Sequence, residues 1–294
     1  MSEQGLFDSS FLNKLDRLAL ISRRRVARYG KGERRSTRKG SSLEFVDYRH
    51  YSAGDDPRQV DWNAYGRSGN LFVKLFEDEE VLTVHFLLDV SRSMDWGQPN
   101  KLEYGRRLAG ALGYIALTGL DRIAAATISD GEGRESFGPA WGRRQIIPFF
   151  AFLENSKPRG QTDLAAALGR YVQAQPRPGL AILISDLLSP SVEAGIKRLV
   201  AQHYEVAVLH LVAPQEQTPP TGEGLRLVDR ETGHAVEVYL DQRALVLYQQ
   251  RFAEWGAALQ HFCSRHDVLY QRLDSAVPLE QALFGLLQRR GILR

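Results

Sequence analysis

Three runs of almost uninterrupted apolar residues constrain this chain more than any other feature: Leu82 to Leu88, Leu180 to Ser185, and Val206 to Val212. A strand with one wet face alternates apolar and polar residues, whereas a strand covered on both faces, as in a parallel sheet, stays apolar throughout. Helical patterns fall between and after these runs, at Lys101 to Gly119, Arg143 to Glu154, Asp163 to Gln173, Ser191 to Gln202 and Arg243 to His261. Strands alternating with helices predict a doubly wound, mostly parallel α/β sheet flanked by helices. In such sheets ligands sit beyond the carboxyl ends of the strands.

The remaining elements fit around that frame. Ile123 to Ile128 reads as a strand, with Arg134 to Phe137 as its hairpin return. Leu225 to Val228 and Ala235 to Val238 alternate with period two around Glu231-Thr232-Gly233, which predicts an inserted hairpin. A strand at Val268 to Tyr270 and a helix at Leu279 to Gln288 close the chain. At the other end, Leu6 to Val26 carries a helical apolar stripe, followed by a Gly- and Arg-rich loop and short strand-like pieces at Leu43 to Val46 and Leu71 to Phe76. The expected organisation is an N-terminal helix and basic loop (1–40), a β-containing accessory segment (41–78) and the α/β domain (79–294).

The formal net charge of +3 over 294 residues conceals an asymmetry. Between Arg23 and Lys39 stand nine basic residues against Glu33 alone, so the rest of the chain is net negative. That segment could meet nucleic acid or anionic lipid through charge. Tyr29 is its only aromatic, however, which gives little support for base stacking, and a solvated or intramolecularly paired arm is favoured. No run approaches the roughly 18 apolar residues of a membrane span, and the N-terminus lacks signal-peptide order. The single cysteine, Cys263, excludes an internal disulfide and a multi-cysteine metal site. A cytoplasmic location is expected, with peripheral membrane contact open.

Chemistry concentrates where the strands end. Asp89-Val90-Ser91-Arg92-Ser93 follows the first buried strand, placing a carboxylate and two hydroxyls at alternate positions. Oxygen donors of this kind suit a hard cation, and Mg²⁺ takes six oxygens at about 2.1 Å. The pentapeptide alone reads more readily as a loop in which the serines cap a turn and Asp89 bonds nearby amides. Two further segments emerge at the same sheet edge: Gly160-Gln161-Thr162-Asp163 before a helix, and Ser185-Asp186 at the end of a strand. Thr162 has an alternative role as a helix N-cap, and Asp186 as a turn residue.

Together, Asp89, Ser91, Ser93, Thr162 and Asp186, with Met94 and Asp163 beside them, resemble the metal-ion-dependent adhesion site of the von Willebrand factor A family. The resemblance implies that the hydroxyls contact a divalent cation (Mg²⁺, with Mn²⁺ or Ca²⁺ as alternatives) and that the aspartates hold it directly or through water. It also implies a protein partner that supplies an Asp or Glu to the open coordination position. A second resemblance spans nearly the whole chain. Arg34-Arg35-Ser36, Gly40 to Phe45, Asp47-Tyr48-Arg49, Tyr51 to Asp56, Arg58 and Val60-Asp61-Trp62 are similar to the signature of the DUF58 family. Those bacterial proteins join such a segment to a von Willebrand A-like domain, and many begin with transmembrane helices, which this chain does not show. Their genes commonly accompany MoxR-type AAA+ ATPases, which implies an adaptor in a chaperone-like system, bound to the ATPase or its client.

Catalysis has less support in the residues. No Gly-x-Ser-x-Gly elbow, His-Glu-x-x-His or Walker A pattern occurs, and His85 and His210 fall in strands, where they read as core residues. The Gly54 to Trp62 segment reads as a turn tied by Asp55 or Asp61 with Arg58, with Val60 and Trp62 as apolar anchors. The expected function is therefore non-enzymatic: cation-dependent protein binding, with anionic-surface binding through Arg23 to Lys39 as the alternative.

Overall fold

The computed structural model describes residues 6–20, 43–52, 60–78, 82–129, 135–175, 177–289 and 291–293. The basic segment Arg23 to Lys39, the tail of the expected first helix and residues 53–59 of the accessory motif lie outside the described residues. The chain divides into two compact units, Met1–Arg23 with Leu82–Arg294, and Arg24–Val81.

The larger unit contains helix α1 (Ser9–Leu15), which Asp8 caps by accepting a hydrogen bond from the Phe11 amide at 2.7 Å. Seven residues are too few to hold a helix by themselves. This one persists by burying Phe11 and Leu15 in the main core. It ends well short of Val26, yet Leu18 and Leu20 remain buried, and Leu20 bridges to Leu293.

The smaller unit pairs β1 (Leu43–His50) antiparallel to β2 (Phe72–Asp78), with a register shift between Phe45 and Asp47. Between them lies α2 (Trp62–Ser68), which begins where the turn expected over Gly54 to Trp62 ends. The Asp61 carboxylate accepts from the Asn63 and Ala64 amides, at 2.9 and 3.1 Å, and Gly69 ends the helix at φ +70°. The structure corrects the expected anchors. Val60 is buried and bridges to Val73, whereas the Trp62 side chain is 61% exposed, because the helix that starts there turns it outward.

The larger unit continues with β3 (Thr83–Asp89), α3 (Lys101–Thr118), β4 (Arg122–Ile128), β5 (Ser136–Trp141), α4 (Ile146–Asn155), α5 (Leu164–Ala174), β6 (Leu180–Ser185), α6 (Val192–Ala201) and β7 (Glu205–Val212). A short α7 (Pro214–Gln217) leads to the hairpin of β8 (Gly222–Val228) and β9 (Ala235–Leu240). The chain ends with α8 (Gln242–Arg265), β10 (Leu269–Asp274) and α9 (Leu279–Gln281), which runs on as a π-helical stretch, Ala282–Leu287. Six strands form one sheet in the order β10, β7, β6, β3, β4, β5, parallel except for β5. This is a doubly wound α/β fold.

Its two apolar faces explain the unbroken strand sequences. Val84, Phe86, Leu88, Ile182 and Ile184 pack towards α3 and α4, while Leu87, Ala181 and Leu183 pack towards α5, α6 and α8. The small residues of α3 let it lie close to its neighbours. A Cβ on Gly113 would sit 2.1 Å from Phe149 Cε1, so α4 could not approach as it does. The chain steps from β3 to β4 on one side, then returns to place β6 on the other side of β3. That reversal opens a crevice at the carboxyl ends of β3 and β6, where Asp89 and Ser185-Asp186 emerge. Among the described residues, no helix is long and apolar enough to cross a membrane.

Candidate functional site

Three loops meet at this crevice, and backbone bonds join two of them before any side chain acts. The Arg159 amide donates to the Val90 carbonyl at 2.7 Å, and the Arg92 amide to the Gly160 carbonyl at 3.3 Å. Gly160 has φ +63°, a conformation that only glycine adopts readily, and Thr162 follows two residues later. Asp163, not Thr162, caps α5, accepting from the Ala166 amide at 3.1 Å. The Thr162 hydroxyl therefore remains available to the crevice. The third loop is bound to the start of α5, where the Leu164 amide donates to Ser189 Oγ at 3.3 Å and the Ala165 amide to Ser191 Oγ at 3.1 Å.

Asp89 is the hub. Its Oδ1 accepts from the Ser91 amide at 2.9 Å and from the Thr162 hydroxyl at 3.1 Å, and its Oδ2 accepts from the Ser185 hydroxyl at 2.6 Å. The Ser91 and Ser93 hydroxyl oxygens are 2.9 Å apart. Asp89, Ser91, Ser93 and Thr162 thus form one connected group, with Asp89 only 2% exposed. Burial, reinforced by the nearby Asp186 charge, pushes the Asp89 carboxyl up to about 6 despite these donors.

Asp186 stands beside that group but turns its oxygens elsewhere. Oδ1 accepts from the Leu188 amide at 3.2 Å, and Oδ2 lies 2.7 Å from Lys101 Nζ. Lys101 is wholly buried at the start of α3 and also pairs with Glu216 of α7. Burial alone would push the ammonium down, but Asp186 and Glu216 outweigh it and hold Lys101 above its ordinary value. An ammonium at a helix N-terminus opposes the helix dipole, so these carboxylates must supply its stabilisation. Asp89, Asp186 and Glu216 thus place three carboxyl groups around the single ammonium of Lys101.

Sequence reasoning misses Lys101, Ser185, Glu216 and Glu231. Glu231 lies in the turn between β8 and β9, where burial, with the charges of Asp186 and Asp89, holds its carboxyl above the ordinary value. Ser185 has a visible signal, as a hydroxyl ending a wholly apolar strand beside Asp186. Lys101 has none, since a lysine opening an amphipathic helix reads as a solvent-facing residue. His85 and His210 are core residues, both 1% exposed, with their Nδ1 atoms 2.7 and 2.6 Å from the Tyr171 and Tyr270 hydroxyls. Among the described residues, no three or more His, Cys, Asp or Glu side chains cluster as a ready-made metal cage. Any cation here would lean on hydroxyl oxygens.

Residues 47–261 match the protein family described as "Protein of unknown function DUF58", and this chain belongs to that family. An uncharacterized protein of Mycobacterium tuberculosis, Rv1480, is 26% identical over 207 residues, covering 69% of this chain. The match takes in 65% of that relative, so the chain spans just under two thirds of the curated relatives' length. Among solved structures, BatB from Bacteroides thetaiotaomicron is similar at 21% identity and a TM-score of 0.45, over 71% of this chain and 98% of that one. An aerotolerance-related membrane protein from Bacteroides fragilis, solved with multiple mutations to serines, is similar at 20% identity and a TM-score of 0.46, over the same shares.

Proposed function

We propose that this chain is a non-enzymatic protein-binding module that grips its partner through a divalent cation. Asp89, Ser91, Ser93, Thr162 and Asp186 would hold the ion, in the manner of the von Willebrand factor A adhesion site that they resemble. The observation that carries the reading is that Asp89 accepts from Thr162 of a second carboxyl-edge loop and from Ser185 at the start of a third. The donor set fits a hard ion. Two carboxyl groups and three hydroxyls offer oxygen only. Mg²⁺ is the leading candidate, with Mn²⁺ and Ca²⁺ as alternatives.

Hydroxyl ligands neutralise little of a cation's charge, so an ion held this way keeps a strong attraction for a further carboxylate. A partner's Asp or Glu side chain would satisfy it. The buried histidines support binding over hydrolysis. Both are buried in strands with Nδ1 against a tyrosine hydroxyl, and burial holds both imidazoles well below their ordinary value, His210 standing beside Ser185 in the sheet. The family resemblance implies that the partner is a MoxR-type AAA+ ATPase or its client.

Calorimetric titration of the purified MoxR-type ATPase of the same genome into this chain tests the reading. Binding heat is expected in Mg²⁺ buffer and should vanish with EDTA and with Thr162→Val. Heat that survives both treatments rules out cation-mediated adhesion.

A further inference from the structure

The end of the sheet opposite the crevice carries a different surface. Thr83, which starts β3, pairs with Arg122, which starts β4, and Arg122 pairs in turn with Trp141, the last residue of antiparallel β5. From Trp141 the chain turns through Gly142, at φ +86°, and Arg143–Gln145 into α4, whose far end leads to Arg159 and Gly160 of the crevice. At this pole Leu120, Trp141 and Ile147 are 59%, 60% and 79% exposed. Trp141 Nε1 donates to the Leu120 carbonyl at 3.1 Å, which holds the indole against the turn between α3 and β4. Ile147 lies in the first turn of α4, and side chains on a helix lean towards its amino end, here towards the arginines. Leu120 adopts φ +64°, a left-handed conformation that glycine would take without strain. A bulky apolar residue that is strained and faces solvent contributes little to folding.

The exposed charges beside these side chains share one sign. Arg122, Arg143 and Arg144 are all exposed. Asp121, between Leu120 and Arg122, is turned inward and only 2% exposed. Arg143 Nη2 lies 3.7 Å from Asp16 Oδ1, a loose surface pair that offsets little. Arg143 and Arg144 also precede α4, whose amino end already carries the positive pole of the helix dipole. Like charges repel there within the fold, and an anionic surface reverses the sign of that interaction.

We propose that this pole is a peripheral membrane contact. Leu120, Trp141 and Ile147 enter the interfacial layer of an anionic bilayer, while Arg122, Arg143 and Arg144 meet its phosphates. An indole at headgroup depth, aliphatic tips beside it and a basic rim are the chemistry of interfacial binding. The aliphatic tips favour lipid over nucleic acid, whose bases stack on aromatic rings. A chain bound by this pole turns the Asp89 crevice away from the bilayer, open to a partner. The inference stands apart from the cation-site reading, and from the basic segment Arg23 to Lys39, which would act through charge without apolar insertion.

The test is co-sedimentation of the full chain with phosphatidylcholine vesicles, with and without phosphatidylglycerol. Wild type should bind only the anionic vesicles. Ile147→Ser and the double change Arg143→Gln with Arg144→Gln should each weaken binding on the order of tenfold. Leu120→Gly should weaken it as well, yet unfold in urea much as wild type does, because glycine relieves the left-handed turn; a lost contact is thereby separated from a lost fold. Brominated acyl chains should quench wild-type tryptophan fluorescence, and Trp141→Phe should still bind while losing that quenching. Val246→Ser, at an exposed apolar position on α8, should match wild type. Binding that survives Ile147→Ser and Leu120→Gly without quenching would assign the attraction to charge alone and overturn the proposal. Failure of wild type to sediment with anionic vesicles overturns it too, and a single-stranded oligonucleotide bound in their place, sensitive to the double arginine change, would reassign the surface to nucleic acid.

Discussion

Lys101 Nζ lies 2.7 Å from Asp186 Oδ2, in a pair whose side chains are 0% and 3% exposed. Such pairs are poor sources of net stability, because burying two ions consumes most of what their attraction returns. Their meaning is positional. Lys101 is the first residue of α3, and its ammonium draws together the ends of β6 and α7, so that the loop bearing Ser91 and Ser93 is framed by fixed neighbours.

Removing one partner of this group should therefore cost more than the pair contributes. Lys101→Met keeps the bulk of the side chain but leaves Asp186 and Glu216 buried without their cation. A loss of about 3–5 kcal/mol in urea unfolding is expected. Adding Glu216→Gln to it should recover part of that loss, because one stranded charge is gone. Additive effects of the two changes would show that the residues do not act as a unit.

If the crevice holds a divalent ion, the ion stabilises the folded chain by mass action. At a hundredfold excess over its dissociation constant, Mg²⁺ should add about 2.7 kcal/mol. In a domain of this size that amounts to several degrees in thermal unfolding. Thr162→Val, which removes one hydroxyl oxygen, should reduce the shift, and EDTA should abolish it. A wild-type melting curve indifferent to Mg²⁺ and EDTA would count against the ion.

Gly179 immediately precedes β6, and a Cβ there would lie 2.0 Å from the Thr83 carbonyl oxygen at the start of β3. A backbone oxygen cannot rotate aside as a side chain can, so Gly179→Ala must spread the two strands that carry Asp89 and Asp186. A destabilisation of about 1–3 kcal/mol or more is expected by urea unfolding. At Gly66 in α2 an added Cβ would meet nothing within 4 Å, and Gly66→Ala should be neutral or stabilising by up to about 1 kcal/mol. Equal effects at the two glycines would refute this steric reading.

Local signals explain what the sequence makes legible. The wholly buried strands β3, β6 and β7 are recognisable because both of their faces are apolar, and the β8–β9 hairpin because its residues alternate. Asp89, Ser91 and Ser93 fall within five consecutive positions, so their proximity needs no tertiary information. Other features depend on long-range contacts. The partners of Lys101 stand 85 and 115 residues away, and only the finished sheet brings them together. Helix α2 is hidden for a different reason. Its seven residues bury none of their side chains, so no apolar period marks it and Asp61 capping alone signals its start. The apolar stripe after Leu15 predicts more helix than forms, because Leu18 and Leu20 reach the core from a turn and a bridge instead.

His85 gives stability a pH dependence of predictable sign. Burial between Tyr171 and Tyr204 lowers its value from 6.5 to about 4, so the folded chain keeps the ring neutral while the unfolded chain charges it. Between those values the unfolded state binds more protons, and stability rises with pH. The contribution is complete above about pH 6.5 and declines as the pH falls towards 4, reaching a loss on the order of 2 kcal/mol by about pH 5. His85→Gln keeps a polar group near the Tyr171 hydroxyl but cannot titrate. Urea midpoints measured from pH 7 to pH 5 should therefore fall less steeply in the variant, by the slope of up to one proton. Parallel slopes would mean that His85 is already charged in the fold or exchanges freely with solvent, against its 1% exposure.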